Sequence, residues 1–203
     1  MHKLQLTYFD FPGGRAEPAR LAFYIGDIEF EDIRFPFEQF PEVKKSTPLL
    51  QVPVLNVEGN VITQSNAITR FAGKLAGLYP IDNYQALLCD EIMDALEDAT
   101  TKVVATFGME GDALKRARDH LSTEVLPRYL KLAGERLEQA GGNFFADNRL
   151  TIADLKTFVW VRSLNSGHLD HIPADLVEQV APNLNIHNMA IASLPEVVAF
   201  YGE

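Results

Sequence analysis

Two stretches of this chain carry residue types able to do chemistry. One is Gln64-Ser65, which follows an apolar, strand-like run and precedes the helical spacing Ala67, Ile68, Phe71, Leu75. Serine is among the best helix N-caps. A helix N-terminus also offers free N–H groups and partial positive charge, a ready receptor for a carboxylate or phosphate. The plainer alternative is that Ser65 only caps. The other stretch is Tyr8, at the end of an alternating run, followed by Phe11-Pro12-Gly13-Gly14 and then Arg15. On its own Tyr8 reads as a half-buried strand tyrosine. Cys89 falls mid-helix with no partner cysteine or adjacent cation, which predicts an inert buried thiol. The five histidines show no metal-ligand spacing, His168 and His171 being a thin signal, and no metal is expected.

The elements that must position these groups come from pattern. The chain has 203 residues, 47% hydrophobic and 23% charged, with a formal net charge of −10. That length allows one large domain or two small ones. The acidic balance argues against nucleic acid and anionic membrane surfaces as partners. It also means that an anionic ligand must be met by locally placed donors. A single cysteine excludes an internal disulfide framework. No apolar run approaches the roughly 18 residues of a spanning helix, and no signal peptide is visible. A cytoplasmic location is expected.

Residues 3–9 alternate as a strand. A helix is predicted over Arg15–Ile25, with Pro18 in its first turn, and a second strand over Ile28–Phe35, making a βαβ unit with parallel strands. A looser stretch, 36–50, holds one helical turn near Glu42–Lys45. Pro53 starts the next strand, with Val52 held extended before it and a cis Val52–Pro53 peptide as the sharper reading. Strands Val54–Val57 and Asn60–Thr63 form a hairpin that leads to the Gln64-Ser65 helix. After Gly77-Leu78-Tyr79-Pro80 strand signals vanish. Helices are predicted over Tyr84–Phe107, over Asp112–Gln139 with a bend at Pro127, from the capping box at Thr151–Asp154 through Val161, at 174–181 and 183–192, and at Pro195–Phe200. The division reads as an α/β unit over 1–77, a linker over 78–83, and an all-helical unit over 84–203.

This arrangement resembles the soluble glutathione transferases, in particular their sigma-like class. The carriers are LTYFDFPGGRAEPAR at 6–20, FPEVKKSTPLLQVPVL at 40–55, ITQSNAITRFA at 62–72, DALED at 94–98 and NRLTIADL at 148–155. The resemblance implies a thioredoxin-like N-terminal domain (βαβ-ββα) and an all-α C-terminal domain. It also implies a homodimer with glutathione as co-substrate and no further cofactor. Tyr8 would hold the catalytic position, donating to the glutathione sulfur and stabilising the thiolate, with Arg15 as the nearby cation. Gln64 and Ser65 would take the γ-glutamyl carboxylate. Val52, before Pro53, would pair through its backbone with the cysteinyl segment. Lys44 and Gln51 would address the glycine carboxylate. Asp98 would reach across from a second subunit to the γ-glutamyl ammonium, a solvated acidic helix face being the alternative. A hydrophobic electrophile would sit against Phe9, Phe11, Thr101, Ala105 and Met109.

There are departures from the family pattern. Phe40 stands where sigma-like members usually have tryptophan, keeping the packing but losing the indole donor. Glu97 replaces an aspartate of the usual pair. The loop between Tyr8 and Arg15 is one residue longer, leaving the reach of Arg15 open. Asp154 matches a family motif whose work is capping. Phe37 or Phe40 could present an aromatic ring to a partner pocket. A glutathione-dependent isomerase such as a prostaglandin synthase, or a non-catalytic relative such as a lens crystallin, are the rival readings. The short Gly108–Gly111 connection lacks the insertion usual in those crystallins.

Overall fold

Alternation in the first strand decides the sheet. Leu4, Leu6 and Tyr8 are buried while Gln5, Thr7 and Phe9 between them are only half-buried, and a one-residue slip would turn the buried set outward. In the computed structural model, which describes residues 3–202, β1 (Leu4–Phe9), α1 (Glu17–Ile25) and β2 (Glu31–Phe35) form the βαβ unit, with β1 and β2 parallel and Tyr8 opposite Arg34. Short helical turns, including α2 (Phe40–Val43), lead to a cis Val52–Pro53 peptide. Then β3 (Val54–Val57) runs antiparallel to β1, and β4 (Asn60–Ile62) antiparallel to β3, giving the order β2-β1-β3-β4. Glu58 and Gly59, both at positive φ, make the tight turn between the last two, the backbone that a two-residue hairpin favours.

The helices are α3 (Ser65–Leu75), α4 (Asn83–Val104), α5 (Gly111–His120), α6 (Leu126–Gln139), α7 (Ile152–Asn165), α8 (Leu176–Val180), α9 (Pro182–Ala192) and α10 (Pro195–Tyr201). The fold is therefore an α/β unit followed by an all-helical one. Buried Leu21, Phe23 and Ile68 fill the first, and Leu96, Leu130, Phe158 and Leu184 the second. Gly73 on α3 lies so close to α7 that a Cβ there would sit 2.5 Å from Ile152 Cγ2. The Ile152 amide donates to the Leu78 carbonyl at 3.0 Å, which ties the connecting segment to the helical unit.

Several boundaries differ from the sequence reading. Helix α1 starts at Glu17, two residues late, because Gly13 and Gly14 take positive φ and the chain enters the helix through Ala16. Strand β2 begins only at Glu31, with Phe30 turned in to pack on Phe23 at 4.8 Å. Helix α4 stops at Val104, and α7 runs on to Asn165. Where a bend is expected at Pro127, the chain makes a π turn over Leu121–Val125, ending two residues before it. Proline cannot donate to the helix ladder and its ring crowds the carbonyl four residues back, and the widened turn relieves both.

Candidate active site

A cleft of about 760 Å³ opens between the β1–α1 loop, the start of α3 and the C-terminal half of α4. Tyr8, Phe9, Phe11, Arg15, Phe40, Gln51, Val52, Pro53, Gln64, Ser65, Thr101 and Ala105 all line it. Residues from 8 to 105 thus meet at one surface. Phe37, Thr63, Glu97, Val104 and Phe107, none of them among the expected lining residues, complete the wall. A comparably large hollow of about 830 Å³ lies between α4, α6 and the 140–148 loop, and it holds none of the groups singled out as chemical.

Tyr8 is 6% exposed, and its hydroxyl oxygen accepts the Arg15 backbone N–H at 3.1 Å. Its ring meets Phe9 edge-on at 5.1 Å and the Arg20 guanidinium at 5.7 Å. Burial pushes the phenol above its ordinary 10.0, opposed by the Arg15 amide and by the charges of Arg15 and Arg20. The phenol therefore keeps its proton through neutral pH. With the oxygen anchored as an acceptor, its O–H is free to donate.

The Arg15 side chain makes no hydrogen bond to Tyr8, and its charge acts on the phenol only through space. Its Nε donates to Glu97 Oε1 at 2.6 Å and a terminal nitrogen to Thr101 Oγ1 at 3.1 Å. Only its amide reaches Tyr8, because the chain at residue 15 is not yet helical. Thr101 is consequently a polar partner as well as a wall residue.

Ser65 is not the N-cap. Helix α3 begins at Ser65 itself, and Gln64 takes the cap position at φ 73 without a side-chain cap bond. The Ser65 hydroxyl turns instead to Glu97 Oε2 at 3.2 Å. The first-turn amides of α3 thus carry no internal side-chain partner, which leaves them open to an anion.

Glu97 collects three donors: Arg15, Ser65 and Lys156, the last at 2.6 Å. Burial alone would push this carboxyl up, but Lys156 and Arg15 outweigh it and bring it down to about 2. Glu97 reads in the sequence as part of an acidic helix face and as a family departure, and Lys156 is not singled out at all. Nothing local marks Lys156, which lies 59 residues from its partner carboxylate; a lysine within an otherwise buried helix face was the one signal available.

Two residues expected at this chain's own cleft, Lys44 and Met109, are absent from its lining, and Asp98, expected to serve a second subunit's site, lies outside it too. Lys44 lies over the Phe40 ring at 5.6 Å. Asp98 is exposed on the outer side of α4. Met109 is 42% exposed, displaced past Gly108 at φ +83, so that Val104 and Phe107 stand in its place. Cys89 is fully buried, and burial pushes its thiol up to about 12, as the reading of an inert thiol requires.

A family model described as glutathione S-transferase, N-terminal domain, matches residues 4–74, and one described as glutathione S-transferase, C-terminal domain, matches residues 97–203. The chain belongs to the glutathione S-transferase family. Glutathione S-transferase 1 of Ascaris suum is 34% identical over 163 residues, covering 76% of this chain and 77% of that relative. Among solved structures, prostaglandin synthase D of Nilaparvata lugens superposes with a TM-score of 0.86 at 29% identity, over 99% of this chain and 98% of the other. A sigma class glutathione transferase from Fasciola hepatica gives 0.83 at 28% identity, over 99% and 96%. The transferase family thus accounts for both units of the fold, with a sigma class member among its structural neighbours.

Proposed function

We propose that this protein conjugates glutathione, through its sulfur, to hydrophobic electrophiles, as a cytoplasmic homodimer. The observation that carries the reading is the Tyr8 hydroxyl, buried and anchored by the Arg15 amide within the cleft. A phenol O–H donating to sulfur favours thiolate over thiol, and each unit of lowered pKa corresponds to about 1.4 kcal/mol. The thiol releases its proton to solvent, and the thiolate forms a bond to the electrophilic carbon, whose leaving group departs with its electron pair. Tyr8 stays protonated throughout.

In this scheme the α3 N-terminus, with Gln64 and Ser65, receives the γ-glutamyl carboxylate. Val52 pairs with the cysteinyl backbone. Gln51 meets the glycine carboxylate, Lys44 reaching in by a change of rotamer, while Phe40 packs beneath it. Asp98 serves the neighbouring subunit's γ-glutamyl ammonium. Phe9, Phe11, Thr101 and Ala105, joined by Val104 and Phe107, receive the electrophile. Exposed Phe37, stacked on Phe9 at 4.5 Å, is the aromatic ring offered to the partner subunit.

Conjugation of a generic aryl halide by wild type and Tyr8→Phe, with glutathione affinity measured alongside, tests the assignment. Turnover lost with binding retained supports it, and normal turnover in Tyr8→Phe sinks it. The likeness to a prostaglandin synthase supports a second reading, isomerisation of an endoperoxide at the same thiolate. A product screen on prostaglandin endoperoxide separates the two.

A further inference from the structure

Lys156 is a charged side chain only 8% exposed, projecting from α7 into the junction of the two units. Its ammonium donates to Glu97 Oε2 at 2.6 Å and to Asn66 Oδ1 at 2.5 Å. Asn66 in turn donates to Asp94 Oδ1 and the Met93 carbonyl. Burying an ammonium is costly even when it is paired, so an apolar residue would satisfy packing alone. What the lysine adds is charge. Arg15 and Lys156 face the single carboxylate of Glu97, leaving this wall with one net positive charge. Without Lys156, Glu97 would cancel Arg15, and Ser65 would stand beside a neutral pair. The next charges outward, Asp94 and Asp90, share the single guanidinium of Arg70; the carboxylate charge this leaves sits on the solvent side, Asp94 being 63% exposed, and outside the cleft lining. In a chain of net charge −10 the wall is a local exception, and it lies at the first turn of α3.

We propose that Lys156 is a positioning residue for glutathione: by neutralising Glu97 from behind, it leaves the charge of Arg15 uncancelled where the γ-glutamyl carboxylate docks. Lys156 does not line the cleft and acts through Glu97 and Ser65. The inference rests on the glutathione-transferase reading given above.

Calorimetric titration of the full chain with glutathione tests it, together with steady-state kinetics and circular-dichroism melts. Lys156→Met weakens glutathione binding about tenfold, a charge-assisted contact's worth, and raises its KM by the same factor. At saturating glutathione kcat stays within about threefold. Lys156→Arg restores most of the affinity. Removing both charges, in Glu97→Gln/Lys156→Met, leaves Arg15 uncancelled and recovers binding to within about threefold of wild type. A merely structural lysine predicts a double variant worse than the single. Where Lys156→Met does not fold, Lys156→Gln, which can keep a hydrogen bond to Asn66, is titrated in its place. Equal affinity in wild type and the single variant, or no recovery in the double variant, overturns the inference alone. Wild type that binds no glutathione overturns the transferase reading with it.

Discussion

The Arg15 backbone N–H donates to the Tyr8 hydroxyl oxygen at 3.1 Å, while the Arg15 side chain turns away to Glu97 at 2.6 Å. One residue thus holds the phenol oxygen through its amide, while its guanidinium is paired to Glu97 and acts on the phenol only through space. The consequence is a Tyr8 whose oxygen is held and whose proton is free. Replacing Tyr8 by Phe removes one donor to a developing thiolate, worth about 1.5–3 kcal/mol. The expected result is a 10- to 100-fold fall in kcat near neutral pH, with glutathione affinity little changed. Because burial keeps the phenol protonated through this range, the rise of activity with pH belongs to the thiol. Its midpoint should move up by about one to two units in Tyr8→Phe. Superimposable pH profiles would show that Tyr8 makes no contact with the sulfur.

Gly14 makes the approach of these groups possible. It sits at φ +73, and a Cβ there would fall 2.7 Å from both the Tyr8 hydroxyl oxygen and the edge of the Phe11 ring. Gly14→Ala therefore strains the backbone and displaces the phenol together. Stability should drop by about 1–3 kcal/mol and kcat/KM by at least about tenfold. Gly142→Ala is the control, since φ there is +83 but no atom lies within 4 Å. It should lose stability without losing activity per folded molecule. Equal activity losses in the two variants would refute displacement of Tyr8 as the cause.

The parts of the fold that obey short-range rules were legible in the sequence. Alternation placed β1, Glu58-Gly59 placed the hairpin, and the Thr151–Asp154 spacing placed a capping box that is present. The errors lie where a tertiary contact overrules a local preference. Ser65 reads as a cap by residue type, yet its hydroxyl is drawn to Glu97, 32 positions away. Arg15 reads as a cation near Tyr8, and its charge does act on the phenol, but its guanidinium hydrogen bonds go to a carboxylate and a hydroxyl on α4. Lys156 had no local signature because its partners, Asn66 and Glu97, come from other elements. The family resemblance supplied the residues of the cleft; it held no information on the pairing behind them.

That pairing makes stability depend on acid. The Glu97 carboxyl is brought down to about 2 from an ordinary 4.5, a difference corresponding to about 3 kcal/mol. A depressed carboxyl contributes stability that is fully present above the unfolded-state value and is lost as pH falls through the folded-state one. The loss should therefore run from about pH 4.5 down to about 2. Urea unfolding at a series of pH values reads it directly. Wild type should lose its margin over Glu97→Gln across that window, and parallel curves would exclude the ion pairs as its source.

Asp154 carries a structural load distinct from the site. Its Oδ2 accepts from the Thr151 amide and hydroxyl, both at 2.8 Å, and its Oδ1 from the Phe145 amide at 3.0 Å. His187 Nε2 lies a further 3.0 Å from the same Oδ1. Asp154, Thr151 and His187 are all buried, so water does not replace a lost acceptor. Each buried donor left unpaired costs about 1–3 kcal/mol. Asp154→Ala should therefore destabilise by at least about 3 kcal/mol, a large share of a typical domain's margin. Asp154→Asn, which keeps one acceptor oxygen, should recover part of the loss. None of these residues lines the cleft, so kcat per folded molecule should match wild type in both variants. Chemical unfolding midpoints and active-site titration on the soluble fraction measure the two quantities separately. A fall in kcat per folded molecule at unchanged stability would place Asp154 in the chemistry instead.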